Sequence, residues 1–198
     1  LQELGRLDDA EASYAQAIAL KPGLAEAHYN LGITLQELGR LDEAVTGLKQ
    51  AIALKPGYAE AHYNLGVTLQ ELGRFDEAEA SYTQVIALKP DLTEAHYNLG
   101  NMLLELGRLD EAEASYTQAI ALKPDYAEAY NNLGAMLKKL GRSDEAEARF
   151  RQAIALKPDY AEAHFNLGNT FQELGKLDEA EASYTQSIAL KCDFADAH

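Results

Sequence analysis

Proline recurs in this chain at 22, 56, 90, 124 and 158, always in Leu-Lys-Pro and always 34 residues after the one before. The sixth slot of the series holds Cys192, again after Leu-Lys. Gly5, Gly39, Gly73, Gly107, Gly141 and Gly175 keep the same step, as do Gly32, Gly66, Gly100, Gly134 and Gly168. A strict period of this length marks a tandem array in which each repeat is one supersecondary unit that buries its apolar face only against its neighbours. Full repeats can be marked at 25–58, 59–92, 93–126, 127–160 and 161–194, with a partial repeat at 1–24 and the start of a further one at 195–198.

Within a repeat the apolar spacing is helical. In 127–139, Tyr130, Leu133, Gly134 and Leu137 fall at i, i+3, i+4 and i+7, one stripe of an α-helix. Asp125 ahead of it, with Glu128 three residues on, has the pattern of a capping box. A second helix is expected from near Asp144, with the stripe Ala146, Phe150, Ala153 and Ile154, and it must end by Pro158. Gly141 lies between the two, where a left-handed residue closes a helix end. The unit is therefore an antiparallel helix pair, with Gly134, Ala146 and Ala153 letting the backbones approach while Leu133, Leu137 and Phe150 fill the seam.

The length and residue order resemble the tetratricopeptide repeat. The first full copy reads His28-x2-Leu31-Gly32-x2-Leu35, then Ala44-x3-Leu48, then Pro56; the third reads His96-x2-Leu99-Gly100-x2-Leu103, Ala112-x3-Tyr116, Pro124. The resemblance implies an all-α, right-handed superhelical solenoid of antiparallel helix pairs that binds proteins or peptides in a concave groove. Departures are few. The large aromatic of the fourth position is His28, His62, His96, Tyr130 and His164 here, and Cys192 stands in for the last proline, so the final turn is expected to end less sharply.

Placing the core at positions four, seven, eight, eleven and fourteen of each first helix leaves two, five, six, nine, twelve and thirteen on the opposite stripe. In the family that stripe lines the groove. Position six is Asn in every full repeat: Asn30, Asn64, Asn98, Asn132 and Asn166. Asn is a weak helix former, so propensity does not explain the column. A carboxamide donates and accepts, which suits it to the backbone of an extended peptide. The column resembles the asparagine ladder in the repeat domain of O-GlcNAc transferases, where it holds substrate backbone. The alternative is that these amides bond across neighbouring first helices and set the stacking. Position five adds Tyr29, Tyr63, Tyr97, Asn131 and Phe165, and position nine adds Asn101 and Asn169. The rings suit a ligand's apolar groups or helix–helix gaps equally. Glu26, Glu60, Glu94, Glu128 and Glu162, at position two, complement the helix dipole.

Several classes are disfavoured. The net charge of −15, from 32 acidic and 17 basic residues, opposes nucleic acid and anionic membrane, which select clustered Lys and Arg, and favours a neutral to basic protein or peptide. No apolar run approaches the ~18 residues of a membrane span. One cysteine permits no internal disulfide, which fits a reducing, cytoplasmic setting. Histidines 28, 62, 96, 164 and 198 invite a metal, but equivalent positions in stacked helices stand roughly 8–10 Å or more apart, too far for one ion. Ser13, Ser81, Ser115 and Ser183 recur without a general base, and no cofactor motif is present, so no enzyme activity is expected. Some family members clamp the acidic tails of chaperones with groove Lys and Arg. Only Lys138 and Lys139 are basic on this stripe, so chaperone tails are not expected partners. Lys138, Lys139, Arg142, Arg149 and Arg151 make the fourth repeat a basic exception.

The chain opens on residues matching the end of a first helix and closes on the opening turn of another, without polar capping repeats. Head-to-tail self-association is one expectation from such ends. The function expected is a peptide-binding scaffold. The alternatives are a substrate-recognition arm of a larger, glycosyltransferase-like enzyme and a self-assembling structural scaffold.

Overall fold

The computed structural model describes the backbone of residues 2–196 and the side chains of residues 6–191. Among these, secondary structure is helical throughout: α1 (Gln2–Leu20), α2 (Ala25–Glu37), α3 (Leu41–Leu54), α4 (Ala59–Glu71), α5 (Phe75–Leu88), α6 (Thr93–Glu105), α7 (Leu109–Leu122), α8 (Ala127–Lys139), α9 (Ser143–Leu156), α10 (Ala161–Glu173) and α11 (Leu177–Asp196). The chain divides into two compact units, Leu1–Asn98 and Leu99–His198. In the first, α2 pairs with α3 and α4 with α5, and α3 packs on α4; in the second, α8 pairs with α9 and α10 with α11, and α9 packs on α10.

Each hairpin is closed by a left-handed glycine and by a large side chain set against a first-helix glycine, which is Leu48 against Gly32 in the α2–α3 pair and an aromatic ring in the later pairs. Gly39, Gly73, Gly107, Gly141 and Gly175 adopt φ between 70° and 74°, the left-handed turn expected of Gly141. At the seam, a Cβ on Gly134 would lie 2.8 Å from Phe150 Cε1, and one on Gly66 would lie 2.8 Å from Tyr82 Cε1. The ring occupies the side-chain volume that glycine forgoes, and Tyr82, Tyr116 and Phe150 are fully buried.

Three expectations are corrected. The capping box does not form: α8 has Tyr126 at its N-cap with no side-chain cap bond, and α9 has Arg142. The turn after proline uses backbone bonds instead, with Tyr126 N–H donating to Lys123 O and Ala127 N–H to Asp125 O. The core arc of the first helices is also wider than one stripe. Position three (Ala61, Ala129, Ala163) and position ten (Thr68, Met136, Thr170) are buried, because within each unit a first helix packs on the neighbouring first helix, α2 on α4 and α8 on α10, as well as on its own partner. Position fourteen, placed in the core, is exposed at Leu106 and Leu140. Finally, α1 continues through Gly5, where a turn was expected, so no hairpin forms there. The matching event at the other end is α11, which runs through Cys192 to Asp196 because no proline stops it. The Cys192 side chain and His198 lie outside the described residues.

Candidate functional site on the first helices

The outward stripe is built by the hairpin itself: α2, α4, α8 and α10 bury one arc and leave positions two, five, six and nine toward solvent, with the exception of Asn131 at position five of α8. Asn30, Asn64, Asn98, Asn132 and Asn166 are all half-buried. The amides of the last four are tied to the preceding repeat. Asn64 Nδ2 donates to Tyr29 Oη at 3.0 Å and to Glu60 O at 3.0 Å, and Asn98 Nδ2 donates to Tyr63 Oη at 2.9 Å. Asn166 Nδ2 donates to Asn131 Oδ1 at 3.0 Å, and Asn132 Nδ2 to Asn101 Oδ1 at 2.8 Å. The carbonyl oxygens of Asn64, Asn98 and Asn166 accept no hydrogen bond among the described residues, and Asn30 makes none through its side chain.

The fifth-position residues divide. Tyr29 and Tyr63 receive the next repeat's asparagine; the Tyr29 ring lies 4.9 Å from that of Tyr58, and the Tyr63 ring 6.4 Å from that of Tyr82. Burial is the main cause that raises both phenols above their ordinary pKa. Tyr97 is half-buried in α6. Phe165 is exposed, with its ring 5.8 Å from that of Tyr184. Asn131 is not on the surface as expected: it is fully buried and donates to Asn132 Oδ1 at 3.2 Å and Glu162 Oε1 at 3.3 Å. At position nine, Asn101 Oδ1 also accepts from Tyr116 Oη at 2.8 Å. Tyr184 Oη stands 2.8 Å from Asn169 Oδ1 and 2.9 Å from Gln172 Oε1, and its single proton serves one at a time.

The acidity of this face is partly neutralised from the inter-repeat turns, a feature sequence reading missed. Lys55 lies 3.6 Å from Glu26, Lys157 lies 3.1 Å from Glu128, and Lys89 bonds Glu60. The Lys89 bond is the main cause holding the Glu60 carboxyl below its ordinary pKa. A 29-residue offset common to all three pairs was the available signal. The basic fourth repeat is largely spent in the same way. Lys138 pairs with Glu173, Arg142 with Glu113 and Glu145, and Arg151 with Glu147 while lying 5.3 Å from the Phe171 ring centroid.

The histidines are staples. His28, His62, His96 and His164 each place Nε2 2.9–3.0 Å from the carbonyl of Pro22, Pro56, Pro90 and Pro158, tying the repeat to the turn before it. A carbonyl only accepts, so Nε2 carries the proton. The recurring serines are likewise internal: Ser13, Ser81, Ser115 and Ser183 donate to carbonyls four residues back. Among the described residues no group of His, Cys, Asp or Glu has the arrangement of a metal site, and no helix is long and apolar enough to cross a membrane.

Family models described as tetratricopeptide repeats match residues 1–39 and 35–73, 63–127 and 97–138, and 125–193. Comparison with curated proteins found no significant match. Among solved structures, a crystal structure of MamA has a TM-score of 0.80 at 26% identity, covering 84% of this chain and 97% of that one. YrrB, titled as having an unusual peptide-binding site, has a TM-score of 0.75 at 23% identity, covering 91% and 93%. PilF of Pseudomonas aeruginosa has a TM-score of 0.74 at 20% identity, covering 92% and 77%. With helix pairs closed by a left-handed glycine and family matches from residue 1 to residue 193, the chain belongs to the tetratricopeptide-repeat family and has its all-α solenoid fold.

Proposed function

We propose that the chain is a protein- or peptide-binding scaffold, without catalysis of its own, that takes an extended, neutral to basic peptide along the outward stripe of its first helices in a cytoplasmic setting. One observation carries this reading: among the described residues the oxygens of Asn64 and Asn98 in the first unit and of Asn166 in the second accept nothing, while their NH2 groups are held by the preceding repeat. Fixed acceptors of this kind within a unit match the N–H groups of a peptide backbone and pre-pay the cost of ordering those side chains. Each bond contributes about 0.5–1.5 kcal/mol net, so binding requires several repeats at once.

The same inter-repeat bonds support a second reading, in which the asparagines only set the stacking. Replacing Asn64, Asn98 and Asn132 together by Ala separates the two. Peptides selected on the intact chain from a random library are expected to lose binding to the triple variant while its sedimentation stays unchanged. Retained binding with altered assembly or a collapsed melting temperature would leave only the stacking role.

A further inference from the structure

We propose that the second unit contains a polarised relay of amides, set by the Glu162 carboxylate, which presents an N–H donor to the ligand at Asn101 and a carbonyl acceptor at Asn166. The inference rests on the peptide-binding reading above and assigns Asn131 and Glu162 as positioning residues.

A carboxylate only accepts, so Asn131, fully buried and 3.3 Å from Glu162 Oε1, must turn its NH2 toward it. The Asn131 oxygen then faces the other way and accepts from Asn166 Nδ2 at 3.0 Å. The second Asn131 N–H goes to Asn132 Oδ1 at 3.2 Å, which turns the Asn132 NH2 toward Asn101 Oδ1 at 2.8 Å. Asn101 Oδ1 also receives the hydroxyl of the fully buried Tyr116, which fills its second lone pair. No amide in this chain can be reversed alone without setting two donors or two acceptors against each other. What remains unpartnered among the described residues is Asn101 Nδ2 at one end and Asn166 Oδ1 at the other, both on half-buried side chains of the outward stripe.

The ligand chemistry follows. Asn101 suits a peptide carbonyl and Asn166 a peptide N–H. A carboxylate is refused at Asn166, where it would meet an amide oxygen beside the exposed Glu162. The second unit therefore selects neutral amide groups and rejects acidic side chains at that end.

The test follows side-chain NH2 resonances of the intact chain by 15N–1H NMR during titration with N-methylacetamide, a single peptide bond. The Asn101 NH2 signals are expected to shift and those of Asn166 to stay, because the latter are already committed to Asn131. In Glu162→Gln, with an unchanged backbone amide spectrum, Asn131 is free to reverse and the Asn166 signals should begin to move. Equal shifts at Asn101 and Asn166 in the unsubstituted chain, or no effect of Glu162→Gln, overturn the relay. If neither asparagine responds while library-selected peptides perturb the first helices, the relay fails and the scaffold reading stands. If those peptides perturb nothing there, both fail.

Discussion

The two units use one hairpin but line it differently. In the first, a tyrosine at position five fills the space between first helices and its hydroxyl receives the following asparagine, as at Tyr29 and Asn64 or Tyr63 and Asn98. In the second, Asn131 is too short to do this from the surface, so it sinks, trades the ring for a carboxylate partner, and receives Asn166 through its amide oxygen. The hydrogen bond across 35 residues survives the change of residue. A repeat protein thus preserves the link between neighbours, which carries its stability, and varies the chemistry that makes it.

The comparison breaks first if the two seams are unequal. Tyr82→Ala and Phe150→Ala each remove a fully buried ring and should cost about 3–5 kcal/mol in urea unfolding. A cost below about 1 kcal/mol for either would mean that the units are closed by different cores. The lining is tested next. Asn131→Leu strands the Asn166 NH2 and removes a donor to Asn132 and should cost roughly 1–3 kcal/mol, whereas Tyr29→Phe removes one hydroxyl acceptor and should cost about 1 kcal/mol by the same measurement.

The turns should not distinguish the units. Gly73→Ala and Gly141→Ala place a Cβ at φ of 70° and 73° and should each lower stability by about 1–2 kcal/mol in thermal melts. The smallest effect is electrostatic. Glu147 sits between Lys176 at 2.7 Å and Arg151 at 2.9 Å, and the Lys176 bond chiefly lowers its carboxyl pKa below the ordinary 4.5. A depressed folded pKa contributes stability above 4.5 that is lost as pH falls through the folded value. Because both cations are substantially exposed, Glu147→Gln should cost about 1 kcal/mol or less at pH 6 and progressively less as pH falls below 4.5. In the first unit the same repeat position is Glu11, paired with Arg40 at 2.7 Å, in one copy and the buried Val45 in the next, where Arg74 reaches Asp42 at only 3.8 Å, so acid should weaken the Val45 step less.

How far the sequence could be read depended on whether a residue acts within its hairpin or between hairpins. The turn at Gly141, the close approach at Gly134 and the buried Phe150 are local, and spacing alone identified them. The capping box at Asp125 failed because the backbone of the turn satisfied the helix end without a side chain. Position ten escaped notice because Thr68 and Thr170 look polar, although each hydroxyl is spent on the carbonyl four residues back and the methyl packs inward. Asn131, singled out as a surface contact, lies in the interior because its depth depends on Glu162 in the following repeat.

By itself the sequence determined the repeat, its helix pair, the glycines that turn and close it, and the family, because a period of 34 residues admits one solution for burying its apolar stripes. Only the tertiary structure decided which atoms of the asparagine column remain available. An amide can offer either end, and the choice is made by partners 31 to 35 residues away that no local pattern orders: a tyrosine hydroxyl in one unit and a carboxylate in the other.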